Sequence, residues 1–78
     1  MSGAVEHLAS QLKAAYAAAP KDRKVVCIHL FGIEHAVALA GVSKHDVAER
    51  AGLSRSYGTE LNKAVNLAAY VEIVRPLA

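Results

Sequence analysis

Hydrophobic residues recur at spacings of three and four along most of this chain, which is the period of amphipathic helices. From Gly3 to Ala19 the apolar stripe consists of Val5, Leu8, Leu12, Ala15, Tyr16 and Ala19. Pro20 and the charged run KDRK follow, so we expect the first helix to end there. The stripe approximates a heptad over two repeats, and two arrangements are open: packing on its own domain or a dimer seam.

The second segment, from Val25 to Ala40, is more apolar and has two interpretations. Its beginning, VVCIHLF, has the residue content of a strand, whereas Ile33 to Leu39 continue with helical character. We predict a mostly buried helix and leave an extended beginning open. Gly41 predicts its end.

A third and a fourth helix are predicted from their capping residues. Ser43 precedes one helix, and Asp46 stands three residues later, as in a capping box. Gly52 ends that helix, and Ser54 caps the next one. Five apolar or aromatic residues fall on one face of the fourth helix: Tyr57, Leu61, Ala64, Val65 and Ala68.

The residues between these two helices have the chemistry of a helix-turn-helix. In the stretch DVAERAGLS, Ala48 is small enough for two helices to cross closely. Gly52 tolerates a positive φ in the turn, and the apolar Leu53 fills the corner. The second helix of such a unit enters the major groove of DNA, so the stretch favours nucleic-acid binding over catalysis.

Gly58 is unexpected inside the fourth helix, because glycine there costs roughly 1 kcal/mol relative to alanine. Two explanations are open: close packing against Ala48 at the helix crossing, or close approach of the backbone to a phosphate. We favour packing.

The tail from Tyr70 to Val74 alternates and is β-branched, which predicts a short strand. Its partner would be Lys24 to Ile28 or the same tail in a second chain. We therefore predict a mainly α fold, a compact domain of four helices with a short C-terminal strand. One domain covers residues 1–78, and the helix-turn-helix covers about 43–69.

The length and the charge of the chain indicate which partners it is suited to bind. The chain has 78 residues and a formal net charge of +2. A domain this small buries a thin core, which favours pairing with a second copy. Between Ser43 and Asn66, four basic residues nearly balance three acidic ones, so each copy offers few phosphate contacts.

Other chemistry is poorly supported by the residues. Cys27, His29 and His35 match no common zinc spacing, so we expect no metal site. We find no nucleotide loop or nucleophile motif, and we expect neither catalysis nor a cofactor nor a small-molecule ligand. The single cysteine and the absence of a signal peptide predict a cytoplasmic protein. The run from Val25 to Val42 contains charged and histidine residues, which argues against a membrane span.

The stretch resembles the DNA-binding headpiece of LacI-family repressors, which carry a similar DVAExAGVS segment. The likeness covers Asp46 to Val65 and implies that Arg55, Ser56 and Glu60 face bases, with Ser54 and Tyr57 near phosphates. Gly58 departs from that family's β-branched core residue, and we expect no sugar-binding domain to follow. The whole chain, with its IHLFGIEHA segment, also resembles small bacterial HTH-like proteins.

These observations predict a small transcription regulator that binds double-stranded DNA as a homodimer. Arg55 is the leading candidate for a base contact, because its guanidinium can bind guanine through two hydrogen bonds. The candidate DNA-binding residues are Lys44, Ser54, Arg55, Ser56, Thr59 and Lys63. The alternative is an adaptor that uses the same helical hairpin to bind a protein.

Overall fold

The computed structural model describes residues 3–77, which form five α-helices and one turn of 3₁₀ helix. The 3₁₀ turn covers Lys21–Arg23. The α-helices are α1 (Gly3–Ala18), α2 (Lys24–Glu34), α3 (Ala36–Leu39), α4 (Lys44–Arg50) and α5 (Tyr57–Leu67). The mainly α prediction is confirmed, whereas the count of four helices is wrong.

Each of the five helices contributes one large side chain to the centre of the core. These fully buried residues are Leu12, Ile28, Leu39, Val47 and Leu61. The helix α2 packs mainly on α5, α1 packs on α4 and α2, and α4 packs on α5. The helix-turn-helix pair, α4 and α5, is therefore supported from behind by α1 and α2.

The helices α2 and α5 approach each other closely at Gly32. A β-carbon placed on Gly32 would lie 2.5 Å from the β-carbon of Ala64 and 3.2 Å from the carbonyl oxygen of Leu61. Glycine is required here because two backbones meet almost directly.

The predicted second helix is divided at His35, and this division accounts for the additional helix. His35 has φ −106° and ψ 24°, outside the helical region, and its ring lies 4.2 Å from that of Phe31, centroid to centroid. The change of direction allows Leu39 to reach the core beside α5. The expected helical character of Val25 to Glu34 is confirmed, and its beginning is helical rather than extended.

The apolar stripe of α1 packs on the domain itself. Leu8, Ala9 and Leu12 are buried, and Tyr16 packs against the same core. The Lys24 ammonium donates to the carbonyl oxygen of Tyr16 at 2.5 Å and lies 5.0 Å from the centre of the Tyr16 ring. This contact joins the end of α1 to the start of α2.

The prediction of a strand from Tyr70 to Val74 is wrong. The segment has no β-ladder partner within residues 3–77. Ile73 and Leu77 are half-buried instead, and the tail borders a largely apolar groove of about 450 Å³ beside Cys27 and Phe31. A strand needs hydrogen bonds from a neighbouring strand, and no such strand lies within residues 3–77, where Tyr70, Val71 and Val74 of the tail are exposed.

Candidate nucleic-acid interface

The turn between α4 and α5 is held by backbone hydrogen bonds of the Schellman type. The N–H of Leu53 donates to the carbonyl oxygen of Ala48, and that of Gly52 donates to Glu49, both at 3.0 Å. Gly52 has φ +84°, the left-handed conformation that glycine adopts easily. Ala48 is fully buried and Leu53 packs against the core. The roles predicted for Gly52 and Leu53 are confirmed.

The beginning of α4 has one half of the predicted capping box. The hydroxyl of Ser43 accepts a hydrogen bond from the N–H of Asp46 at 3.2 Å. The Asp46 carboxylate is instead bonded to Arg55 across the turn. Ser43 is therefore the N-cap, and the Asp46 side chain joins the two helices of the motif.

The residues that lead into α5 form a 3₁₀ turn, which the sequence did not predict. The hydroxyl of Ser54 accepts from the N–H of Ser56 at 3.3 Å, but the N-cap of α5 is Ser56, so the prediction that Ser54 caps this helix is wrong. The N–H groups of Tyr57, Gly58 and Thr59 donate three residues back, a 3₁₀ pattern, and the regular helix begins only at Tyr57. Ser54, Arg55 and Ser56 therefore lie in the lead-in to α5, all exposed.

Gly58 marks the crossing of α5 over α4, and the atoms nearest to it belong to His45, whereas the sequence predicted Ala48. A β-carbon on Gly58 would lie 2.6 Å from the α-carbon of His45 and would also meet the imidazole Nδ1. Packing is therefore the correct explanation of this glycine, with a different partner. His45 Nδ1 lies 3.2 Å from the carbonyl oxygen of Arg55, which can only accept, so this hydrogen bond requires the proton on Nδ1.

Arg55 is held by two carboxylates of α4. Its Nη1 donates to Oδ1 of Asp46 at 2.7 Å and to Oε1 of Glu49 at 2.9 Å. The hydrogen bond from Arg55 is the main cause that lowers the pKa of Asp46 below its usual value, and it raises the pKa of Arg55. Because the Arg55 side chain is 56% exposed, these bonds orient it at the surface without burying it.

The other two basic candidates also have local partners. Lys63 Nζ lies 3.4 Å from Oε2 of Glu60, and the other oxygen of Glu60 lies 2.7 Å from Nε2 of His29 on α2. The His29 hydrogen bond, followed by that of Lys63, lowers the pKa of Glu60. Lys44 donates to the carbonyl oxygen of Val42 at 3.1 Å.

The solvent-exposed side of α5 carries polar residues. At 100° per residue, Thr59, Asn62, Lys63 and Asn66 fall within an arc of about 100°. All four are exposed, while Gly58, Leu61 and Ala64 are buried on the opposite side. The four residues of this arc, together with Arg55 and Ser56 at its start, form what we call the outer face of α5.

The structure brings five of the six predicted residues onto this surface or beside it: Ser54, Arg55, Ser56, Thr59 and Lys63. Lys44 lies at the first position of α4, half-buried. Asn62 and Asn66 were missed as candidates, although their spacing from Thr59 and Lys63 was visible in the sequence. Tyr57 is half-buried against the core, with its ring 6.5 Å from that of Tyr16.

Arg50, the remaining basic residue of α4, forms an ion pair with Glu6 of α1. It therefore fastens α4 to α1.

Among residues 3–77, no three side chains from histidine, cysteine, aspartate or glutamate gather as a metal would require. None of the helices in that part of the chain is both long and apolar enough to cross a membrane.

Comparison with known proteins identifies the motif at the level of a family. The family described as an HTH-like domain matches residues 4–74, which include all five helices except the first residue of α1. No curated protein matches the chain, and no solved structure matches it. The chain belongs to the family of HTH-like domains.

Proposed function

We propose that this protein is a small transcription regulator that binds double-stranded DNA sequence-specifically, with α5 in the major groove. The observation that carries the proposal is the outer face of α5. It stands on the second helix of a helix-turn-helix and carries only polar side chains from Arg55 to Asn66.

The residue types on this face match the groups that base edges present. Arginine can bind guanine through two hydrogen bonds, and asparagine can bind adenine in the same way. Serine and threonine hydroxyls can contact either bases or phosphates. In the proposed complex, Arg55, Ser56 and Thr59 contact bases, with Asn62 next to them. Lys44, Ser54 and Lys63 contact the phosphate backbone.

The composition of the outer face also favours DNA over a protein partner. The centre of a protein–protein interface is usually rich in aromatic and other apolar side chains that fill pockets on the partner. The arc of Thr59, Asn62, Lys63 and Asn66 has no such side chain. An adaptor would have to bind through polar contacts alone, which makes this alternative the weaker one.

We include a homodimer in the proposal. The motif from Ser43 to Asn66 has four basic and three acidic residues, a net charge of +1. Few phosphate contacts per copy imply weak binding by a single copy, and two copies on adjacent half-sites would double them. Apolar residues exposed at the start of α2 and in the tail offer a surface for pairing: Val25, Val26, Tyr70, Val71 and Val74.

The resemblance to LacI-type headpieces supports the same orientation of α5, with its amino-terminal end toward the bases. In this proposal the protein acts by binding alone, in a bacterial cytoplasm, without catalysis or a cofactor.

Selection of bound duplexes from a random pool, using the full chain at low salt, tests this function. The proposal expects enrichment of a defined sequence, with two half-sites about 10 base pairs apart, centre to centre. A pool with no enrichment and no retained duplex at low salt would overturn it.

A further inference from the structure

The two bonds that hold Arg55 engage only one side of its guanidinium. Nη1 carries two hydrogens, and its two partners, Asp46 Oδ1 and Glu49 Oε1, lie 2.7 and 2.9 Å away. Among residues 3–77, the Nη2 and Nε donors of Arg55 have no hydrogen-bond acceptor. Three N–H groups therefore remain available on the opposite edge.

We infer that Asp46 and Glu49 are positioning residues that hold Arg55 so that its Nη2–Nε edge recognises one guanine of the bound duplex. The inference rests on the proposed function. The chemical complement of that edge is a pair of acceptors in one plane, and guanine presents such a pair, O6 and N7, in the major groove.

Two features of the contacts around Arg55 support a positioning role for Asp46 and Glu49. Asp46 and Glu49 are three residues apart on α4, so both carboxylates lie on the same side of that helix, and together they use both hydrogens of the Arg55 Nη1. The backbone of Arg55 is fixed as well, since His45 Nδ1 bonds its carbonyl oxygen. An arginine whose rotamer is already fixed loses less freedom when it binds a base, and it discriminates more sharply between bases.

The same carboxylates also repel the phosphates of DNA. Their removal is therefore expected to change the preference for guanine and the affinity for unrelated duplexes in opposite directions. Removing them should weaken the preference for guanine and strengthen binding to unrelated duplexes. If the carboxylates only masked Arg55 as a competing anion, their removal would strengthen binding and leave the preference for guanine intact or increased.

The experiment compares the wild-type chain with the double variant Asp46→Ala/Glu49→Ala. The probe is the duplex enriched from a random pool, with each guanine replaced in turn by 7-deazaguanine, which lacks the N7 acceptor. A duplex of unrelated sequence measures non-specific binding. The double variant Asp22→Ala/Glu72→Ala is the matched control, because it removes two exposed carboxylates far from Arg55 in the sequence. Circular dichroism confirms that each variant is folded.

For the wild-type chain and the control, we expect 7-deazaguanine at one position to weaken binding by roughly 5-fold or more, within the limit of about 150-fold set by a complete bidentate contact, of which it removes one hydrogen bond. For Asp46→Ala/Glu49→Ala, we expect that loss to fall to about twofold or less, with stronger non-specific binding. Arg55→Lys, which keeps the charge and removes the fork, should lose the guanine preference in the same way.

Two failures are distinguishable. If the wild-type chain binds no duplex, the proposed function is wrong. If it binds with a guanine preference that Asp46→Ala/Glu49→Ala retains in full, the function stands and the positioning role is wrong. Should the double variant not fold, Asp46→Ala and Glu49→Ala are tested singly, and full retention of the preference by both would overturn the inference.

Discussion

The α-carbon of His45 lies so close to Gly58 that a β-carbon on Gly58 would come within 2.6 Å of it. This contact sets the distance at which α5 crosses α4, and it places Arg55 within reach of Asp46 and Glu49. The spacing of the helix-turn-helix therefore depends on a glycine in its second helix.

We expect Gly58→Ala to destabilise the fold. The added methyl would gain about 1 kcal/mol of helix propensity, but it meets backbone as well as side chain, and overpacking costs about 1–3 kcal/mol. The clash should prevail, because the α-carbon of His45 can move only with its helix. Urea unfolding measures the change. Gly41→Ala is the control, since a β-carbon there meets no atom within 4 Å. A Gly58→Ala variant as stable as the wild type would contradict the close crossing.

Gly52 should respond to substitution for a different reason. A β-carbon there also meets no atom within 4 Å, but φ is +84°, so any cost is conformational. We expect Gly52→Ala to lower the free energy of unfolding by roughly 1–2 kcal/mol. Gly52→Asn should cost less, because asparagine adopts the left-handed conformation more readily. Equal losses for alanine and asparagine, measured by urea unfolding, would argue against this origin of the effect.

The pair formed by His29 and Glu60 predicts a dependence of stability on pH. The hydrogen bond from His29 holds the pKa of Glu60 below its usual value of 4.5 in the folded protein. A carboxyl with a lowered folded pKa stabilises the fold above its unfolded pKa, and this contribution is lost as the pH falls through the folded pKa. We expect Glu60→Gln to be less stable than the wild type near neutral pH, with the difference shrinking as the pH falls below 4.5 and through the lowered folded pKa.

Urea midpoints at a series of pH values measure this difference. Glu72→Gln, which removes a carboxylate from the exposed tail, is the control. If the curves of the wild type and Glu60→Gln ran parallel through the acid range, the pair would make no contribution.

The proposed homodimer predicts a dimer at micromolar concentration in sedimentation equilibrium. Val26 and Val74 are both exposed and border the same groove between α2 and the tail. Val26→Glu/Val74→Glu should shift the mass to that of a monomer. Val37→Glu, at a residue 94% exposed on α3, should leave it unchanged. A wild-type chain that sediments as a monomer throughout this range would rule out the dimer.

The parts of the fold that follow from local chemistry could be predicted from the sequence. Ser43 caps α4 through its own hydroxyl, and Gly52 and Leu53 close the turn through neighbouring backbone groups. The outer face of α5 follows from helical spacing alone. These features depend on residues within about one helical turn of each other.

The parts that depend on distant contacts could not be predicted in this way. The predicted second helix is divided at His35, whose ring packs against that of Phe31, and Leu39 after the division is buried beside α5. The alternation in the tail predicts a strand, but a strand needs a partner, and no partner strand lies within residues 3–77. The bonds from Asp46 and Glu49 to Arg55 cross the turn, so they depend on the angle between the helices.

The measurement that tests the central claim most directly is an NMR titration of the ¹⁵N-labelled chain with the duplex enriched from a random pool. If the outer face of α5 binds DNA, the largest amide shift changes will fall between Ser54 and Asn66, and those of exposed residues in α1 will be small. Changes confined to α1 or to the tail, or no changes at low salt, would contradict the account.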